Sequence, residues 1–400
     1  VGICAPIVTL LASFGSMVGQ GGAPIMAMKM GSGNEKEARQ VLNNGFLMLL
    51  VLSAVLTSVF LLSKNTLLMW FGASEATFSY ANTYVTIYTA GTFFALISGG
   101  MNSFLIAQGF SGLGMETVVI GAILNILLDP LFIFVFHMGV AGAAIATVIS
   151  QIVSCLFVLG CLFSKRMPVR LGWGDFHLSV MKRIVTFGFS PFLILASDSI
   201  LLIVLNTVLQ RYGGPGEGDT LVTCATIVQS YLLLITMPMG GITLGSQPVV
   251  SFNYGKGDAE RIKKAILCIT GLCVIFCILM TIVTWTVSPV YVRLFTEDPV
   301  ILSRSVTYIK RFTFMIIPLA VQYPLVDETT ALGKVKLALF CSAFRKLVFL
   351  TGLLLLPALL TADAAFFSEP VADVVSATMT SCLFFHFFPK ILKEREKITI

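Results

Sequence analysis

The sequence predicts an all-α polytopic membrane protein built from two helical bundles, and three observations lead to this prediction. Of its 400 residues, 56% are hydrophobic and 12% charged, and the mean hydropathy of +0.93 lies far outside the range of soluble globular domains. Eleven apolar stretches are each long enough to cross a bilayer. Motifs that surround the first stretch recur 224 residues later in the chain.

The eleven predicted spans account for most of the chain. A helix needs about 20 mainly apolar residues to cross the hydrocarbon core of a membrane. The spans lie at approximately 3–30, 42–63, 80–108, 115–136, 139–164, 183–210, 220–252, 262–288, 307–332, 335–359 and 366–388.

Basic residues indicate how the spans are oriented. If the spans alternate across the membrane, eighteen Lys and Arg residues fall at one set of helix ends and six at the other. Cytoplasmic loops carry this excess, so we expect a cytoplasmic tail at 389–400 and an external Val1. Because the chain starts within an apolar helix and lacks the pattern of a signal peptide, we also expect a preceding helix in the full protein.

An internal repeat relates the two halves. The polar turn Gly31–Arg39 has a second copy at Gly255–Lys263, and Pro24 maps onto Pro248 with the same offset. An even number of spans separates the copies, so both halves point the same way.

The repeat predicts the domain boundaries. An N-terminal lobe occupies 1–164, a polar cytoplasmic linker 165–182 and a C-terminal lobe 183–388. A second lobe of six helices implies a first lobe of six, of which this chain carries five.

One acidic residue stands out within the predicted spans. Asp129 lies in an apolar run, 117–136, that has no other charged side chain. An ionised Asp in hydrocarbon costs roughly 2.5–3.5 kcal/mol even by low estimates, so Asp129 should face a polar interior. Asn125 lies one helical turn before it, and Pro130 directly after it frees a backbone carbonyl. This pattern favours an ion or substrate path, and the alternative is a buried Asp that serves helix packing alone.

The nine cysteines predict neither disulfides nor a metal site. They sit singly in apolar runs with no His or carboxylate at ligand spacing, which is typical of small core residues.

Three motifs together resemble the multidrug and toxic compound extrusion (MATE) transporters, in particular a bacterial branch of that family. They are the run Gly245–Pro248 with Ser251–Asp258, its first-half counterpart Met30–Ala38, and Asn125–Pro130. The resemblance covers the whole chain, from the family's second helix to its twelfth. It implies two six-helix lobes around a central cavity, with export driven by inward movement of protons or sodium ions and with no other cofactor.

The resemblance also implies a cation site in the first lobe. Family members use an Asp of the first helix, an Asn and an Asp four residues apart, and a Thr on the sixth helix. Asn125, Asp129 and Thr147 match the last three positions, with sodium as one candidate ion. The resemblance places the first-helix Asp before Val1, outside this sequence.

The second lobe departs from the first. The repeat places Phe349 and Leu353 where Asn125 and Asp129 would fall, so the duplicated site has no acid there. Asp198, near the middle of its span, is the predicted contact for a cationic substrate.

Two further acids lie near the end of a second-lobe span. Asp327 and Glu328 are expected to pair with Arg345 or Lys346 on the next helix in a structural role.

Three functions were compared. The sequence favours a cation-coupled exporter of amphipathic, often cationic, organic compounds over a flippase of lipid-linked oligosaccharides, because deep acids outnumber deep cations. An N-terminally truncated, inactive remnant of such an exporter remains a further alternative. A membrane enzyme is set aside because the spans contain no catalytic motif.

We expect a monomer in the bacterial cytoplasmic (inner) membrane, in contact with lipids and small organic cations and not with nucleic acid.

Overall fold

The computed structural model describes residues 4–70 and 75–399, and this part of the chain is helical with no strand. The side chains at 5, 6, 70, 75–77, 199 and 394–399 are not described. The predicted external position of Val1 and the side chains of Arg395 and Lys397, two of the basic residues of the predicted cytoplasmic tail, therefore fall outside the described residues. The all-α class is confirmed. The helices are α1 Ala5–Gly31, α2 Glu35–Trp70, α3 Glu75–Ala90, α4 Thr92–Ala107, α5 Ser111–Pro130, α6 Gly139–Phe163, α7 Leu178–Gly213, α8 Glu217–Lys256, α9 Ala259–Arg293, α10 Pro299–Phe312, α11 Ile316–Ala331, α12 Val335–Leu359 and α13 Ser368–Thr399.

The predicted spans all fall on helices. Within the described residues, eight helices are long and apolar enough to cross a membrane, and two bent helix pairs raise the number to ten. These ten do not include α1, a helix of 27 residues that covers the first of the eleven predicted spans.

Two spans that were predicted as continuous helices are broken, and this detail of the prediction is wrong. A bend of 54° separates α3 from α4 at Gly91, and a bend of 52° separates α10 from α11. A Cβ at position 91 would lie 2.5 Å from the Val148 side chain, so glycine permits the close approach of α6 at the first bend. Met315, which precedes α11, is the repeat equivalent of Gly91.

Helix boundaries follow the 224-residue repeat. α2 begins at Glu35 and its counterpart α9 at Ala259, while α4 ends at Ala107 and its counterpart α11 at Ala331. At these positions the two halves share helix boundaries in addition to their sequence motifs.

Glycines with positive φ occupy equivalent turns. Gly33 and Gly257 have φ of +75° and +83°, and Gly109 and Gly333 have φ of +89° and +78°. L side chains rarely adopt this conformation, which explains why glycine occurs at both copies of each turn.

The chain divides into two compact units, Val1–Ala196 and Ser197–Ile400, with the boundary inside α7. The predicted boundaries at 164 and 183 stay a prediction.

In the first unit, Phe104 of α4 is fully buried, and its ring fills the space that a Cβ on Gly22 or Gly45 would occupy. Gly22 thus serves close packing. In the second unit, Tyr308 stacks on Phe366 with 4.1 Å between ring centroids.

The segment that precedes α7 is held by side-chain amides of α2. Asn44 is fully buried; its Oδ1 accepts from the His177 backbone N–H at 2.9 Å, and its Nδ2 donates to the Asp175 carbonyl at 3.0 Å. Asn43 accepts in the same way from the Gly172 N–H at 3.0 Å. These contacts satisfy backbone groups that have no helical partner.

Candidate functional site: a polar cluster and cavity in the first unit

The three residues predicted to bind a cation are brought together. Asn125 Nδ2 donates to Asp129 Oδ1 at 3.2 Å and to Thr147 Oγ1 at 3.4 Å. The Thr147 hydroxyl in turn donates to the Ala143 carbonyl at 2.9 Å. All three side chains are half-buried.

Local structure explains this arrangement. Asn125 and Asp129 lie one turn apart on α5, on the same helix face. Beyond Pro130 the helix widens into a π-helical turn, Leu131–Val135, which accommodates the missing proline N–H. π-helical turns of this kind occur frequently at functional sites.

A cavity of about 440 Å³ opens beside the cluster within the first unit. Asn125 and Thr147 line it, together with apolar and uncharged polar side chains of α1, α3, α4, α5 and α6. The polar members of this lining are Ser16, Tyr88, Thr92, Ser98, Asn102, Thr117, Asn125, Thr147, Ser150, Gln151 and Ser154.

Some residues of this cavity escaped the sequence prediction. Gln151 Nε2 donates to the Tyr88 hydroxyl at 3.4 Å, while Gln151 Oε1 and Asn102 Oδ1 are buried without a hydrogen-bond partner in the described part of the chain. Buried acceptors without partners indicate a place where water or an ion binds. Gln151 lies four residues after Thr147 and therefore on the same face of α6, so this spacing could have predicted its place in the cavity.

The side chains at this site fit a hard monovalent cation. A carboxylate, an amide oxygen and a hydroxyl are the oxygen ligands that such ions prefer. Asn125 turns its amide nitrogen toward Asp129 and Thr147, and a 180° rotation of the amide would present its oxygen instead. A proton needs no such rotation, since Asp129 accepts it directly.

In the second unit, Asp198 is paired with a cation of the protein itself. Lys346 Nζ of α12 forms an ion pair with Asp198 Oδ1, and the Asp198 side chain is 61% exposed whereas that of Lys346 is 16% exposed. A cationic ligand at Asp198 therefore has to compete with Lys346.

The pairing predicted for Glu328 is wrong. Both carboxylate oxygens of Glu328 are buried and have no hydrogen-bond partner among the described residues, while Arg345 pairs with acids of α13. Asp327 interacts with Thr243 of α8. The sequence predicted that Arg345 of α12 pairs with an acid of α11, whereas its partners lie on α13.

The comparison with known families decides the identity. A sequence model with the description MatE matches residues 1–131 and again residues 193–354, which together exceed half of the chain. The chain belongs to the MATE family. Members of this family are transporters, which excludes the enzyme alternative.

Relatives and solved structures agree with this assignment. Multidrug export protein MepA of Staphylococcus haemolyticus (strain JCSC1435) is 25% identical over 318 residues, which cover 78% of this chain and 68% of the relative. Its counterpart in Staphylococcus aureus (strain MRSA252) is 23% identical with the same coverage.

The fold matches solved structures at low sequence identity. A MATE protein in the bent conformation aligns with a TM-score of 0.92 and 22% identity, over 99% of this chain and 88% of that one. A MOP superfamily transporter from Pyrococcus furiosus, described as having a binding pocket of reversed polarity, aligns with a TM-score of 0.91 and 23% identity, over 98% of this chain and 88% of that one.

Proposed function

We propose that this MATE protein is a cation-coupled exporter of amphipathic, often cationic, organic compounds, with protons or sodium ions as the coupling ion. The observation that carries the proposal is the cluster of Asn125, Asp129 and Thr147 at the edge of the first-unit cavity. The names of the MepA relatives support multidrug export. The exporter acts as a monomer in a bacterial cytoplasmic membrane, with its C-terminus on the cytoplasmic side.

Asp129 is the residue at which the coupling ion binds. A bare carboxylate is costly at membrane depth, and either a proton or a sodium ion neutralises it. The unpartnered oxygens of Asn102 and Gln151 supply further ligands for an ion or its water inside the cavity. Ion binding biases the first unit toward one conformation and thereby lowers its affinity for cargo, and cargo lowers the affinity for the ion by the same factor.

Deep charges in the second unit favour this cargo over a lipid-linked pyrophosphate. Arg345 and Lys346, the cations at membrane depth in α12, are each paired with acidic side chains. A pyrophosphate group calls for several unpaired cations.

The test is Asp129→Asn in the full-length protein, reconstituted in vesicles with an imposed proton or sodium gradient. Gradient-driven efflux of a cationic dye should be abolished while equilibrium dye binding remains detectable. Glu116→Gln is the matched control, because Glu116 is an exposed acid on the same helix and its loss should leave efflux unchanged. Efflux at the wild-type rate in Asp129→Asn would show that Asp129 serves packing alone.

A further inference from the structure

A second cluster of buried charge lies in the second unit. Arg345 Nη2 contacts Glu369 Oε1 and also donates to Asp373 Oδ1 at 2.9 Å, while Arg345 Nε reaches the same Asp373 oxygen at 3.3 Å. Glu369 and Asp373 lie on consecutive turns of α13 and are 6% and 1% exposed. Two nearly buried carboxylates therefore share one guanidinium group.

The charges of this cluster do not balance. If both acids are ionised, one negative charge stays uncompensated inside the helical bundle. Because oxygens of Glu369 and Asp373 contact the same Arg345 nitrogen, the two carboxylates are also close to each other. Two carboxylates that share a site of low polarity disfavour double ionisation.

Among the described residues, neighbouring groups on α12 and α9 do not supply the missing positive charge. Lys346 lies near Glu369, but its charge is matched by Asp198, with which it pairs. On α9, the Cys277 thiol is the titratable group near Asp373.

In the part of the chain that the structure describes, the other elements packed against α13 do not supply it either. α11 contributes Tyr323, which lies near Arg345, and the acids Asp327 and Glu328, which add no positive charge. α10 and the 3-10 helix Ala362–Phe367 carry Arg311 and Asp363, which pair with each other at 2.7 Å.

We propose that Glu369 and Asp373, bridged by Arg345, form a binding site for one exchangeable proton in the second unit. The proton comes from water and is held on a carboxylate oxygen of this pair, which restores charge balance with Arg345. The 224-residue offset maps Arg345 onto Gly121. For α13 the offset is 227, since Ser154–Phe157 recurs at Ser381–Phe384, and it maps Glu369 and Asp373 onto Gly142 and Ala146, so this site belongs to the second unit alone. It shares no residue with the Asp129 cluster and depends neither on the cargo nor on the coupling ion proposed above.

Infrared spectroscopy of the full-length protein in lipid tests the proposal through the carbonyl stretching band of protonated carboxylic acids. Glu369→Gln leaves one acid for one guanidinium, so the band should lose the amplitude of one carboxyl group relative to wild type. Arg345→Gln leaves two acids without a cation, so both should be protonated and the band should gain the amplitude of one carboxyl group. Glu260→Gln, at an exposed acid near the start of α9, is the control and should leave the band unchanged.

An unchanged band in both Glu369→Gln and Asp373→Asn would overturn the proposal. If these variants do not fold, a hydrophobic carbodiimide, which reacts with protonated carboxyl groups, is applied to the unmodified protein and its adducts are mapped by mass spectrometry. An adduct on Glu369 or Asp373 at neutral pH supports the site. Adducts on other buried acids, together with no adduct on Glu369 or Asp373, would contradict the proposed site.

Discussion

Asn34 and Asp258, which stand 224 residues apart, begin equivalent helices with the same hydrogen bond. The Oδ1 atom of Asn34 accepts from the Glu37 backbone N–H at 3.1 Å, and Oδ1 of Asp258 accepts from the Arg261 backbone N–H at 3.1 Å. Each residue follows a glycine with positive φ. The duplication has thus preserved a complete helix start, from the left-handed turn to the capping side chain.

Replacing the first of these glycines should destabilise its turn. A Cβ at Gly33 meets no atom within 4 Å, so the cost of Gly33→Ala is purely conformational, about 1–2 kcal/mol. Thermal unfolding in detergent measures the loss. Gly33→Asn should recover part of it, because Asn tolerates the left-handed region better than Ala. Gly160→Ala, at an equally open position within α6, should not lower the melting temperature.

Asn44 should be essential for holding the segment before α7. Asn44→Ala removes hydrogen bonds to the backbone of Asp175 and His177 and leaves those groups without partners, which costs about 1–3 kcal/mol. Limited digestion with trypsin should then cut faster at Arg170.

Asn65→Ala provides the control for this digestion, since Asn65 is an exposed residue of the same helix. Equal cleavage rates in wild type and in Asn44→Ala would mean that other contacts hold the segment in place.

Much of this architecture was accessible from the sequence because apolar length and repeat spacing are local signals. The 224-residue offset anticipated both the positions of the turns and the correspondence of Pro24 with Pro248, which lie inside α1 and α8. The bend at Gly91 was not predictable, because an uninterrupted apolar run does not reveal which neighbouring helix approaches it.

Partners of buried charges were the weakest part of the prediction. Asn125 and Asp129 were recognised as neighbours because they are one turn apart on a single helix. Arg345 was assigned partners on the wrong helix, since pairing between helices depends on tertiary packing that spacing along the chain does not encode.

The ion pair in the second unit should control the affinity for cationic cargo. If Asp198 binds cationic compounds, Lys346→Gln should tighten binding of tetraphenylphosphonium by up to about fivefold, because a partly exposed ion pair is worth about 0–1 kcal/mol. Asp198→Asn should weaken export of cationic dyes more than of neutral ones. Equal loss for both classes of dye would instead assign Asp198 to folding or coupling.

Thr147 should report which ion drives transport. Its hydroxyl hydrogen is donated to the Ala143 carbonyl, so toward the cluster the oxygen acts as an acceptor, and Asn125 Nδ2 donates to it. Rotation of the Asn125 amide would free this oxygen for a metal ion, whereas a proton held on Asp129 has no need of it. With sodium as the coupling ion, Thr147→Ala should raise the half-saturating sodium concentration by about tenfold, equivalent to about 1.4 kcal/mol. Thr147→Ser keeps the oxygen and should stay near wild type. With protons as the coupling ion, Thr147→Ala should change the efflux driven by a proton gradient by less than about twofold. Measurement of efflux in vesicles under each gradient separates the two cases. If both Thr147→Ala and Thr147→Ser lose binding and efflux under both gradients, Thr147 supports the fold of α6 and takes no part in coupling.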